Sequence, residues 1–277
     1  MSEAVMSKIY AVFIFVFGTV VGSFLNVCIW RIPREESLLK PGSHCPKCNT
    51  PIAWYDNIPI VSYLVLRGRC GHCGEPISIR YAVVEALTGA LFVCLYLKFG
   101  LTIACAIYCA LVASFIAVTF IDIDHYIIPN RITFGGIGVG LVLSFTAKYI
   151  PGDRFIVTNT VHALLGGVVF AGILYVLDQV SKLIFKKPGM GGGDVKLAAM
   201  IGLFVGLRLV LPVILVASVV GSVIGIGILI ARRKEEPDPS HYIPFGPYLV
   251  LGTIIVLFFG ENMWEYWRNM VTVVPTY

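Results

Sequence analysis

Charged residues are scarce in this chain. Asp, Glu, Lys and Arg make up 13% of its 277 residues, whereas 57% are hydrophobic and the mean hydropathy is +0.86. Soluble domains carry about 25% charged residues, so the composition excludes an ordinary soluble protein. It predicts a polytopic membrane protein. The net charge of +5 selects no partner by itself, and we expect membrane lipid, but no nucleic acid, around this chain.

Three other features are missing from the sequence. The first apolar run has no Ala-x-Ala cleavage site, so we expect a spanning helix there and not a cleavable signal peptide. The two halves of the chain do not repeat each other, which argues against a transporter built from inverted repeats. No glycine-rich strand-to-helix turn of the Rossmann type is present, so the residues alone indicate no dinucleotide-type cofactor site.

Apolar runs of about 20 residues, the length of a membrane-spanning helix, dominate the rest. There are eight of them, at residues 9–30, 81–99, 101–121, 132–150, 159–184, 196–210, 211–231 and 244–261. Only Arg208 and Pro212 mark a turn between the sixth and the seventh. We therefore predict an all-α polytopic membrane protein with about eight transmembrane helices and a small extramembrane domain, residues 31–80, between the first two.

The distribution of basic residues predicts the orientation. When residues 31–80 are placed inside, the inside loops hold most of the 21 lysines and arginines, including those of the predicted inside loop 232–239. Lys and Arg collect on the cytoplasmic side of membrane proteins. The 31–80 segment is therefore expected to face the cytoplasm.

Four of the eight cysteines form two CxxC pairs in this polar segment. Two such pairs supply four thiolates at the spacing of a closed structural zinc site, with these ligands: Cys45, Cys48, Cys70 and Cys73. The neighbouring His44 and His72 are alternative ligands. Disulfides are the alternative chemistry, which a cytoplasmic location disfavours. The remaining cysteines lie in apolar runs and are expected to be buried small hydrophobic residues.

Two aspartates lie at one edge of the membrane. Asp122 ends the third apolar run and Asp194 follows a glycine run at 189–193, with two crossings between them. A carboxylate at a bilayer is costly and indicates a functional group. Two carboxylates that meet share one proton, so one can act as a general base while the other donates a proton. This is the chemistry of aspartic proteases.

Other interpretations of these carboxylates remain open. The same pair could form a proton or cation pathway, or cap helices at the interface. Asp124 is the rival of Asp122, although on a helix the two would face roughly opposite ways. We expect Glu85 to snorkel or to pair with an arginine, and Asp178 to be solvated or interfacial.

Several motifs in this order resemble one family. Gly191, Gly193 and Asp194 fit the pattern GxGD, Asp122 precedes an Ile-Pro-Asn motif, and further matches lie at residues 22–33, 57–59, 66–68 and 244–247. Together with the two cysteine pairs, they resemble the bacterial type IV prepilin peptidases, also called leader peptidase/N-methyltransferases, of the GxGD aspartic protease class. The resemblance covers almost the whole chain.

The resemblance implies a function and a division of the chain. The family cleaves the leader of prepilins and pseudopilins at the cytoplasmic face of the bacterial inner membrane, with Asp122 and Asp194 as catalytic residues. It then methylates the new N-terminal amine using S-adenosylmethionine. Residues 1–30 would form the first helix, residues 31–80 the zinc domain and possible methyltransferase region, and residues 81–277 the peptidase domain. A GxGD protease without methylation is the second enzyme hypothesis, and a transporter or channel is the third.

Overall fold

The computed structural model describes residues 3–150, 155–186, 189–231 and 244–272, and helices are the main secondary structure of this part of the chain. No strand occurs among these residues, which confirms the all-α prediction. The predicted inside loop 232–239 lies outside them. The chain divides into two compact units, Met1–Ile121 and Asp122–Tyr277.

Nine α-helices are found in the described residues. They are α1 (Glu3–Arg31), α2 (Val61–Val65), α3 (Arg80–Phe99), α4 (Ile103–His125), α5 (Asn130–Thr146), α6 (Thr160–Phe185), α7 (Gly192–Val205), α8 (Leu207–Ala231) and α9 (Gly246–Thr272). Short 3-10 helices lie at Ile32–Arg34, Trp54–Asn57 and Ala147–Tyr149.

Seven of these described helices, all except α2 and α7, are long and apolar enough to cross a membrane. Together with the 14-residue α7, they correspond to the eight predicted segments, and the chain is a multi-pass membrane protein. The turn predicted at Arg208 and Pro212 is wrong. The break lies at Gly206, whose φ of +72° is unfavourable for other residues, and Pro212 lies inside α8.

In the first unit, α1 packs directly on α3 through small residues. A Cβ atom on Gly18 would lie 2.7 Å from Cα of Gly89, so the two helix backbones approach closely. The Asn26 side chain also donates a hydrogen bond to the Tyr81 carbonyl at 3.1 Å. Small residues and interhelical hydrogen bonds are what hold helices together in a bilayer. The segment between α1 and α3 therefore begins and ends at this pair of packed helices.

In the second unit, α7 is the central helix. It packs against α5, α6, α8 and α9, and its side chains are buried on all sides from Leu197 onward, except for an intermediate Ala199. Its closest neighbour is α6, because a methyl group on Gly166 or Gly202 would overlap the backbone of the other. A helix that is apolar all round belongs in a protein interior. Asp194, in the first turn of α7, is therefore carried by the best-enclosed element of this unit.

Candidate functional site

Asp122 lies in the last turn of α4 and is buried, with 5% of its surface exposed. The helix ends just after it, because Tyr126 adopts a left-handed φ of +56°, and Pro129 then leads into α5. Asp124, two residues after Asp122, is exposed. Of the two aspartates that the sequence offered here, Asp122 is therefore the one enclosed by the protein.

Asp194 is also buried, with 7% of its surface exposed. Its Oδ2 atom accepts a hydrogen bond from the backbone N–H of Gly191 at 3.0 Å, so the carboxylate caps the helix to which it belongs. Its Oδ1 atom is buried without a hydrogen-bond partner among the described residues.

The structure brings Asp122 and Asp194 together. Their carboxyl groups are close enough for their charges to interact, and Asp122 accepts a hydrogen bond from the backbone N–H of Gly246 at the start of α9. A Cβ atom on Gly246 would lie 2.5 Å from Oδ2 of Asp122. The site is therefore built from the end of α4, the start of α7 and the start of α9.

Ile128 fills the space beside this pair. A Cβ atom on Gly193 would lie 2.9 Å from the Ile128 Cβ atom, and one on Gly246 would lie 3.2 Å from its Cδ1 atom. Both glycines thus contact one apolar side chain in the short connection between α4 and α5. In the sequence, Ile128 was only the first residue of the Ile-Pro-Asn motif and had no role assigned to it. The signal for Gly246 was its place in the motif at residues 244–247.

Such a pair can carry out general acid–base chemistry. Two buried carboxyl groups that interact cannot both ionise freely, so they share a proton. One then takes a proton from water, while the other donates a hydrogen bond or a proton to a reacting group. Neither a nucleophilic side chain nor a metal ion is needed for this step.

Asp178 is not solvated, which was one of its two predicted positions, whereas the predicted interfacial position stays a prediction. It is buried, with 7% of its surface exposed, and it forms an ion pair with Lys182 one turn later on α6. Its Oδ1 atom accepts the backbone N–H of Met190 at 3.3 Å. The prediction of a solvated position failed because the glycine loop before Asp194 folds back over the end of α6 and covers this carboxylate.

Glu85 on α3 does not snorkel, and it has no arginine partner among the described residues. It is 7% exposed, and its Oε2 atom accepts the backbone N–H of Ile60 at 2.7 Å. The Ser23 hydroxyl also donates to this carboxylate. The prediction failed because a segment 25 residues earlier supplies the partner, and Ile60 reaches it with a strained φ of +62°.

The four cysteines of the two CxxC pairs converge on one point. Their sulfur atoms all lie within 4.8 Å of one another, and the Sγ atoms of Cys45 and Cys73 are 3.9 Å apart. Four thiolates at a Zn–S distance of 2.3 Å on a tetrahedron are about 3.8 Å apart. The cluster therefore has the composition and spacing to hold a metal ion.

Both pairs are built in the same way. The backbone N–H of Cys45 donates to Thr50 and that of Cys70 to Glu75, and a short bridge closes each turn. The residue after each second cysteine has a left-handed φ, +55° at Asn49 and +72° at Gly74. This repetition places the four sulfur atoms around one centre. The alternative ligands His44 and His72 do not belong to the cluster found among the described residues.

The thiols of the cluster differ in acidity. The Thr50 side chain and backbone lower the pKa of Cys48 to about 6. At Cys73 the backbone N–H of Glu75 lowers the pKa, but desolvation and the neighbouring thiols raise it further, to about 11. Thiolates bind metals and thiols do not, so binding of a metal ion would release the protons of the cluster thiols.

Comparison with known proteins places both regions in one group. A family model described as the Bacterial Peptidase A24 N-terminal domain matches residues 16–99, and one described as the Type IV leader peptidase family matches residues 109–226. The first model covers the four cysteines and the second covers both aspartates. No solved structure matches the chain.

Curated relatives that carry the name prepilin leader peptidase/N-methyltransferase include proteins from three different genera. The protein from Myxococcus xanthus is 41% identical over 83% of this chain, and the alignment spans 66% of that relative. The protein from Neisseria gonorrhoeae is 34% identical over 90% of this chain and 91% of its own length. The protein from Aeromonas salmonicida is 33% identical over 95% of each. The resemblance seen in the sequence is confirmed, and the chain belongs to the type IV leader peptidase family, among the prepilin leader peptidase/N-methyltransferases.

Proposed function

We propose that this chain removes the leader peptide from type IV prepilins or pseudopilins and methylates the N-terminal amine that the cut exposes. The names of its relatives support both activities. The observation that carries the peptidase activity is the pairing of two buried carboxyl groups, Asp122 and Asp194, at one site. These two residues are the proposed catalytic pair.

The proposed cleavage uses water as the nucleophile. The ionised member of the pair takes a proton from a water molecule while the water oxygen attacks the scissile carbonyl carbon. The protonated member donates a proton to the carbonyl oxygen. The tetrahedral diol then collapses, the C–N bond breaks, and a carboxyl group returns a proton to the leaving amine. The hydrogen bonds from Gly246 to Asp122 and from Gly191 to Asp194 Oδ2 hold the pair in place. Oδ1 of Asp194 is left for the proton or the water.

For the cysteine cluster we propose zinc as the metal. Four cysteine ligands complete a tetrahedral shell without an open position, so the ion would be structural and take no part in the cleavage. A segment of about 50 residues has a small core, and metal binding would stabilise its fold. The proposed domains are accordingly residues 1–30 for the first helix, 31–80 for the zinc domain, and 81–277 for the peptidase.

S-adenosylmethionine is the proposed methyl donor, because the relatives are named N-methyltransferases. The described residues contain no β-sheet, so a Rossmann-type site for this cofactor is absent from them and no residue is assigned to it. We propose residues 31–80 as the region where the methyl group is transferred. Cytoplasmic placement of this region and of the aspartates is supported by the distribution of Lys and Arg.

The glycine run offers a test of how tightly the site is packed. We expect Gly193→Ala to reduce cleavage by about tenfold or more, because its methyl group would meet Ile128 at 2.9 Å and push Asp194 away from Asp122. Gly192→Ala is the matched control, since a Cβ atom there has no atom within 4 Å. Initial cleavage rates of the two variants measure the difference. Equal rates would show that the Ile128 side chain moves to make room for the methyl group and does not fix the position of Asp194.

The function itself is tested with the purified protein in detergent and a synthetic prepilin peptide that spans the leader and the apolar helix. Mass spectrometry would follow loss of the leader and the gain of a methyl group separately. We expect both products when S-adenosylmethionine is supplied, and cleavage alone without it. A protein that leaves the peptide uncut would contradict the proposed function, and cleavage without methylation would leave only the protease.

A further inference from the structure

The loop that leads into α7 rests on the last turns of α6. Asp178 accepts the backbone N–H of Met190 through Oδ1, and it also interacts with the backbone of Gly189. Its Oδ2 atom is engaged by Lys182. A buried carboxylate is costly unless it is paired and hydrogen-bonded, and Asp178 is paired with a lysine of its own helix and hydrogen-bonded by the loop backbone.

The loop backbone also contacts α6 directly. A Cβ atom on Gly189 would lie 2.5 Å from Oγ and 2.6 Å from Cβ of Ser181. Ser181 and Asp178 lie one turn apart on α6 and therefore contact the loop at the same end of the helix. Position 189 thus has no room for a side chain as long as the loop keeps this contact.

The next amide along the chain belongs to the candidate active site. Met190 donates its N–H to Asp178, and Gly191 donates its N–H to Oδ2 of Asp194. Two consecutive backbone amides therefore hold two aspartates, one on α6 and one on α7. Only the φ and ψ angles of Met190 separate the two planar peptide units, so holding the Met190 amide in place limits where the Gly191 amide can lie.

We propose that Asp178 is a positioning residue for peptide cleavage. By holding the Met190 amide, it keeps the Gly191 N–H on Oδ2 of Asp194, and so keeps Oδ1 directed at the shared proton and the attacking water. Asp178 touches neither the substrate nor Asp122 in this role. The inference rests on the proposed peptidase function and adds a third aspartate to it.

The test uses three variants of the full-length protein with the prepilin peptide described above. Asp178→Ala removes the acceptor for Met190, Asp178→Asn keeps an oxygen for it but loses the ion pair, and Lys182→Met removes only the lysine. A misplacement of about 1 Å in an active site costs about 10²-fold in rate. We expect kcat for cleavage to fall about 100-fold in Asp178→Ala, with KM changed less than threefold. In Asp178→Asn and Lys182→Met we expect kcat to fall less than tenfold.

Methylation of a peptide that has already been cut is the internal control. We expect Asp178→Ala to methylate this peptide at the wild-type rate, because methyl transfer is proposed to take place in residues 31–80 and not at this loop. Equal loss of cleavage and methylation would mean that Asp178 merely stabilises the fold, and would overturn the proposal. Cleavage at the wild-type rate in Asp178→Ala would also overturn the proposal. A loss of cleavage in Asp178→Asn as large as that in Asp178→Ala would do the same.

A second pair of variants tests the loop contact without changing Asp178. We expect Gly189→Ala to lower kcat because its methyl group collides with Ser181, and the double variant with Ser181→Gly to recover most of the rate. No recovery would contradict the docked position of the loop. If the wild-type protein does not cut the peptide at all, the proposed function fails before this inference is reached, so the two failures can be told apart.

Discussion

Asp122→Asn and Asp194→Asn are each expected to lower cleavage of the prepilin peptide by about 10³-fold or more. Asparagine has nearly the same size and can still accept the N–H of Gly246 or Gly191, but it can neither take a proton from water nor donate an acidic proton. General acid–base catalysis by a positioned group contributes about 10² to 10⁴-fold, and each substitution removes one member of a pair that shares a proton. Initial rates of leader release, followed by mass spectrometry, measure the loss.

Asp124→Asn is the matched control for this experiment. The residue lies two positions from Asp122 on the same helix, but it is exposed, so we expect near wild-type cleavage. All three variants should methylate a peptide that has already been cut, which shows that they are folded. Loss of cleavage in Asp124→Asn, with cleavage retained in Asp122→Asn, would show that Asp124 is the catalytic residue and Asp122 is not. Retained cleavage in both Asp122→Asn and Asp194→Asn would exclude the aspartate mechanism.

Serine replacement in the cysteine cluster is expected to abolish metal binding. Cys48→Ser and Cys73→Ser each remove one of four sulfur atoms that lie within 4.8 Å of one another. An incomplete shell loses the tetrahedral thiolate geometry that zinc prefers. We expect elemental analysis to find one zinc ion per wild-type chain and almost none in either variant. Because the metal stabilises the small domain that holds it, limited proteolysis within residues 41–77 should become much faster and methyl transfer should be lost.

Cys94→Ser is the control for the cysteine experiment, since Cys94 lies on α3 outside the cluster. It should keep its zinc, its resistance to proteolysis and both activities. A wild-type chain that contains no metal and is lighter by the four hydrogens of two disulfides would support the disulfide alternative. Zinc that is retained after either cluster substitution would also contradict the proposed four-cysteine shell.

The sequence predicted the features that depend on composition and local pattern. Apolar runs located the eight helices of the membrane region, because a bilayer demands length and hydrophobicity from each span. The CxxC pairs predicted the cluster, because the ligand spacing within each pair is local. The meeting of Asp122 and Asp194 followed from counting crossings. In each case the information lay in short stretches of chain or in the order of the helices.

The features that the sequence did not reveal depend on contacts between distant segments. Asp178 and Glu85 were expected near water or an arginine, but backbone amides of folded loops enclose both. Hydropathy cannot show which loop returns to which helix end. The break at Gly206 was missed for a different reason. Pro212 and Arg208 were the stronger local signals, but a glycine with positive φ ended the helix.

The brevity of α7 has a consequence for the access of water to Asp194. Its 14 residues rise about 21 Å, whereas the hydrocarbon core of a bilayer is about 30 Å thick. Because the neighbouring helices surround α7, lipid does not reach its ends, and water or loop residues can occupy the remaining depth of about 9 Å beside α7. The shortness of α7 thus allows a carboxylate in its first turn to meet water within the depth of the membrane.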